Sequence, residues 1–142
     1  MCRKRFFAYL LAILTPSYGC SEENPLVGVW RSDKEQTLRL IESSQVLSQE
    51  AKKILTEDVP FGKMVLEFGE NTLKSTYDGE TIVTAYRVKN RRGEVLEIEE
   101  KDAENGKWVK RRIELGEGAI IVPSVVSPHI REVFKRLERA NT

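Results

Sequence analysis

The sequence predicts a mainly β domain with a minor α component: a small antiparallel meander barrel or strongly twisted sheet of about seven strands. A helical excursion follows the first strand, and a helix closes the chain. Three observations carry that reading. From Lys63 onward, apolar and polar residues alternate instead of following a helical period. Turn residues interrupt the alternation at short intervals, and connections this short force neighbouring strands to run antiparallel. Apolar spacing of three and four occurs in the stretches 33–58 and 127–137. At 142 residues, with 40% apolar and 32% charged residues, the chain supports one globular core.

Residues 1–19 stand apart from that domain. Arg3, Lys4 and Arg5 precede an apolar run from Phe6 to Leu14, and Pro16 and small residues follow. This is the three-part layout of a secretory signal, and the run is too short to span a bilayer as a permanent helix. Residues 20–25 are polar and contain Pro25, as a tether would. The domain then occupies 26–142.

The first strand is expected over Leu26–Arg31, which holds Gly28 and Trp30. Asp33 can cap a helix, with Gln36 at the capping-box position. Leu38, Ile41, Leu47, Ala51, Ile54 and Leu55 continue a helical stripe. Glu42–Gln45 is poor helix material and Ser48 is a second cap, so two short helices with a corner are expected over Asp33–Asp58. Pro60 and Gly62 close the excursion.

Six strand-like segments follow: Lys63–Phe68, Thr72–Tyr77, Thr81–Lys89, Glu94–Glu100, Lys107–Leu115 and Ala119–Val122. The sharpest turn between them is Asp78-Gly79, because a two-residue hairpin needs positive φ and this pair supplies it at little cost. Ile82, Thr84, Tyr86 and Val88 fall on one face of their strand, as do Val109, Arg111, Ile113 and Leu115 on theirs. Ser127-Pro128 then reads as a cap with Pro in the first helical turn, ahead of an Ile130, Phe134, Leu137 stripe.

Charge excludes one class of partner. Removing Arg3, Lys4 and Arg5 with the signal leaves 20 basic residues against 22 acidic ones, a net of −2. A nucleic-acid binder needs a basic face, so no nucleic-acid partner is expected. Catalytic and metal chemistry find no foothold either. His129 is the single histidine, Cys20 is the one cysteine beyond the signal, and no Gly-x-Ser-x-Gly occurs. No catalytic residue, metal site or cofactor is therefore expected, and the chain reads as a non-enzyme. Glu97 and Glu99 share a strand face but resemble a solvated strand end more than a hydrolase pair. Arg111 is more informative, because an arginine on a buried-looking face requires a carboxylate or a ligand anion. Core packing is the ordinary use of Trp30, Tyr77, Tyr86 and Trp108. If the sheet encloses a pocket, these four with Arg111 as polar anchor are its candidate ligand-binding residues.

Two resemblances add to this reading. Ser17-Tyr18-Gly19-Cys20 resembles the lipobox of bacterial lipoproteins, with Ser17 where the family usually has an aliphatic residue. The resemblance implies lipidation of Cys20, anchoring in a membrane and, with Ser21 rather than Asp next, an outer-membrane position facing the periplasm. Ser17 and Gly19 also suit an ordinary signal peptidase, which would leave Cys20 as a free N-terminal thiol in a periplasmic or secreted protein. Leu26-Val27-Gly28-Val29-Trp30-Arg31-Ser32-Asp33 resembles the Gly-x-Trp opening of lipocalin-like domains in small bacterial lipoproteins. That group implies a barrel whose first-strand Trp plugs the base, with a basic residue from late in the chain on the Trp face; Arg111 or Arg112 is the candidate. The group has eight strands followed by a helix, whereas here helices follow the first strand. The implied function is non-enzymatic binding of a small apolar or amphiphilic ligand. The alternative is a protein-interaction module with a filled core, an envelope assembly factor or inhibitor.

Overall fold

Strand pairing follows the alternation almost segment by segment in a computed structural model that describes residues 23–124, 127 and 129–138. The signal segment and Cys20 lie outside the described residues. β1 (Gly28–Ser32) leads into α1 (Lys34–Ser43) and α2 (Gln49–Asp58). Then come β2 (Val65–Phe68), β3 (Thr72–Tyr77), β4 (Glu80–Arg92) and β5 (Val95–Lys101). β6 (Trp108–Gly116), β7 (Ala119–Pro123) and β8 (Arg131–Arg136) complete the order. Each strand pairs antiparallel with its neighbour in sequence, and β1 pairs with β8, so the meander closes into an eight-stranded barrel.

The local chemistry that starts and stops these elements is visible. Asp33 accepts a hydrogen bond from the Gln36 N–H at 3.1 Å, and Ser48 does the same for Ala51 at 3.1 Å. Each cap satisfies a backbone donor that the first helical turn leaves free. The capping box is half made, because the Asp33 N–H donates instead to Val133 O at 2.7 Å. At the β3–β4 hairpin, Asp78 and Gly79 have φ of 49° and 83°, the paired positive values that match the twist of the flanking strands. β4 runs beyond Lys89, where the expected strand ends, as far as Arg92, with a bulge between Val88 and Asn90.

The C-terminal helix is overturned: its described residues form β8, which brings the strand count from about seven to eight. The helical stripe had a different cause. Val133 and Phe134 are adjacent and both buried, because β8 is covered on both sides. Phe134 belongs to the barrel core. On the other side α1 packs on β8, and Ile130 joins Ile41, Leu55 and Phe61 in a second core under the helices. Apolar residues on both faces of a strand mimic a helical period. Without β8, β1 and β7 would each present an open edge, and closing the barrel removes both.

Large side chains fill one end of the barrel. Trp30 is 3% exposed and packs with Phe68, Tyr86, Leu96, Ile120 and Phe134. Leu26, just before β1, is fully buried among them. The residues read as a tether dock on this closed end from Asn24 on. Asn24 Nδ2 donates to the Tyr86 hydroxyl at 2.7 Å, and that hydroxyl donates in turn to Gly69 O.

The closed end also settles which basic residue meets Trp30. It is Arg136 in β8, not Arg111 or Arg112. The guanidinium lies 4.3 Å from the Trp30 ring centroid and donates to Val27 O at 3.0 Å and Pro25 O at 2.8 Å. Register is the reason: Arg136 is the direct partner of Trp30 across the closing β1–β8 seam. A segment expected as helix offered no such pairing. Gly28 makes room for this contact, since a Cβ there would sit 2.6 Å from Arg136 Nη1, and its φ is 143°.

Candidate functional site

Inward-facing residues change character along the barrel. Toward the end formed by the β3–β4 and β5–β6 hairpins, smaller and polar residues such as Ser75 and Thr84 replace the large aromatics, and the interior opens into a cavity of about 740 Å³. Phe68, Leu73, Ile98, Ile113 and Phe134 contribute its apolar wall. Val59, Pro60 and Phe61, after α2, line it too, so the helical excursion contributes part of the wall. Tyr77, Ile82 and Val109 also line the cavity while remaining accessible, Ile82 at 58% exposure. The cavity is of the size that holds a small ligand, and an eight-stranded barrel has room for one.

Charged residues in the wall come from β5, the β5–β6 hairpin, β6 and β8. Arg111 Nε lies 2.9 Å from Glu100 Oε2, the internal ion pair that its inward position requires. The N–H is not aligned for a hydrogen bond, so the attraction is electrostatic. Glu100 also accepts from the Thr84 hydroxyl at 3.2 Å. Glu132 accepts from the Ser32 hydroxyl at 2.5 Å, and Ser32 Oγ accepts from the Gly62 N–H at 2.9 Å. Burial pushes the Glu132 carboxyl above the usual glutamate value, and the Ser32 hydrogen bond offsets part of that rise.

The five residues singled out from sequence do not converge. Tyr77 and Arg111 line the cavity. Trp30 and Tyr86 belong to the packed closed end, where burial raises the Tyr86 phenol pKa, partly countered by the Asn24 hydrogen bond. Trp108 does not line the cavity; it is 37% exposed and carries the Arg87 guanidinium 4.1 Å from its ring centroid. Strand alternation accounts for this, since residue 108 points opposite to 109 and 111. Glu99 pairs with Arg87 and Lys89 at 3.2 and 3.3 Å, and Glu97 lies 3.9 Å from Lys110. Desolvation of Glu99 is outweighed by its two cations, which lower its pKa.

Glu132 and Phe134 were missed because they fell in the expected helix. The signal that finds them is period two: Glu132, Phe134 and Arg136 share one face once 131–136 is read as a strand. Among the described residues, no group of three His, Cys, Asp or Glu is placed to hold a metal ion. The chain matches no protein-family model and no curated protein.

Proposed function

We propose that this chain is an envelope lipoprotein whose lipocalin-like barrel binds a small apolar or amphiphilic ligand. The observation that carries the reading is the cavity of about 740 Å³, walled mainly by apolar side chains and closed at one end by the Trp30 plug. The core of this barrel is packed in one half and hollow in the other. A hollow apolar interior forgoes packing contacts that a filled core would gain, and a ligand restores them. The Trp30–Arg136 stack supports the lipocalin-like reading, since the resemblance implies a late basic residue on the Trp face.

Native mass spectrometry of the purified protein after incubation with an envelope lipid extract tests the binding. One bound molecule per chain, accompanied by a rise in melting temperature, is the expected result. A bare mass with an unchanged melting temperature would remove the proposal. The address rests on Cys20 and has its own test: labelled palmitate should enter the wild-type chain in bacteria and fail to enter Cys20→Ser. Equal labelling of the two would show that Cys20 is not the anchor.

A further inference from the structure

The charges lining the cup do not balance. Four carboxylates (Glu100, Asp102, Glu104 and Glu132) face two cations (Lys101 and Arg111). Glu100 and Arg111 answer each other at 2.9 Å. Asp102 turns its Oδ1 to the backbone N–H groups of Glu104 and Asn105 in the β5–β6 hairpin, where Lys101 and Glu104 are also found. Glu132 is placed differently. It lines the wall half-buried and takes the Ser32 hydroxyl, and among the described residues no cation pairs with it.

A carboxylate withdrawn from water without a counter-ion is costly, and a cation that pairs with it offsets part of that cost. Burial has already raised its pKa, as expected of a carboxylate with no positive neighbour. An anionic head group would meet the opposite situation. It would need Arg111, which Glu100 already neutralises, or Lys101, which lines the wall beside Asp102 and Glu104, and would enter a wall whose remaining net charge is negative.

We infer that the cup selects a cationic amphiphile, with its apolar body along Phe68, Leu73, Ile113 and Phe134 and its ammonium head group paired with Glu132. This rests on the cup being a ligand site, as proposed above. The head group is recognised by charge and by the half-buried setting of Glu132, and the apolar wall sets no further requirement than length and bulk.

The test is a calorimetric comparison of dodecylamine, dodecanol and dodecanoate, each below its aggregation threshold, against the purified protein at neutral pH. The three share one apolar chain, and the amine is charged there as a lysine side chain is. Dodecylamine should bind at least about tenfold more tightly than either of the others. In Glu132→Gln the amine should fall to the level of the alcohol, while the alcohol keeps its wild-type affinity. Equal binding of all three, or preference for dodecanoate, would overturn the head-group assignment and leave the cup as a ligand site. Binding of none would overturn both readings. Should Glu132→Gln fail to fold, the wild-type ranking alone decides.

Discussion

Arg136 shows how much one side chain does in a small barrel. Its guanidinium stacks on Trp30, and two of its N–H groups reach the carbonyls of Val27 and Pro25, the segment that crosses the closed end. It therefore joins the last strand, the first strand and the chain leading into it. Arg136 remains exposed, so the gain is moderated by solvent. Cation–π contact and charge-assisted hydrogen bonds together suggest that Arg136→Ala costs about 1–2 kcal/mol. Lysine should restore little of this, since a point charge on a flexible stem cannot stack and donate to two carbonyls in the same geometry. Denaturant titration of the wild type and both variants measures it. An alanine variant as stable as wild type would show that Trp30 needs no partner. The sequence marks Trp30 plainly, but not this arginine, because the pairing depends on β8 lying beside β1.

At the scale of elements, the handover from β1 to α1 decides whether the barrel closes. β1 stops at Ser32, and the chain turns out into a helix while β8 still has backbone groups to satisfy. The first turn of α1 satisfies them: the Asp33 N–H donates to Val133 O at 2.7 Å, and the Val133 N–H donates to Thr37 Oγ1 at 3.0 Å. Thr37 is fully buried for this purpose. Thr37→Val keeps the shape and removes the acceptor, leaving a buried N–H unpaired at a cost of about 1–3 kcal/mol. Hydrogen exchange should then quicken at Val133 before it quickens in β4 and β5. Uniform acceleration across the barrel would argue instead that the seam has no separate stability. Elements governed by local chemistry were legible in advance, namely both helices with their Asp33 and Ser48 caps, the Asp78-Gly79 hairpin and the alternating strands. β8 was not, because Val133 packs outward under α1 while Phe134 packs inward. A strand buried on both faces loses the period that identifies it. The inward Arg111 did announce its carboxylate, and Glu100 supplies it; Glu132 falls on the inward face only once 131–136 is read as a strand.

For the whole molecule, the decisive property is that the barrel is packed at one end and hollow at the other, and strand periodicity is blind to it. An inward position reads the same whether its side chain meets another or meets empty space. The difference lies in bulk: Trp30, Phe68, Tyr86 and Phe134 fill the closed end, while Ser75 and Thr84 leave the rest open. Filling the cavity separates the needs of folding from those of binding. Ser75→Phe places a ring in the cavity from β3, where Ser75 pairs with Leu66 and Ile82 and lines the open half of the barrel. Overpacking a full core usually costs about 1–3 kcal/mol, but a ring entering open apolar space has contacts to gain and little to displace. The variant should therefore melt at or above the wild-type temperature and lose the lipid adduct expected of the wild type in mass spectrometry. A variant that melted lower with binding intact would mean that the ring finds no room in the cup and that the ligand sits elsewhere. Retained stability with lost binding would show that the open half of the barrel serves the ligand and not the fold.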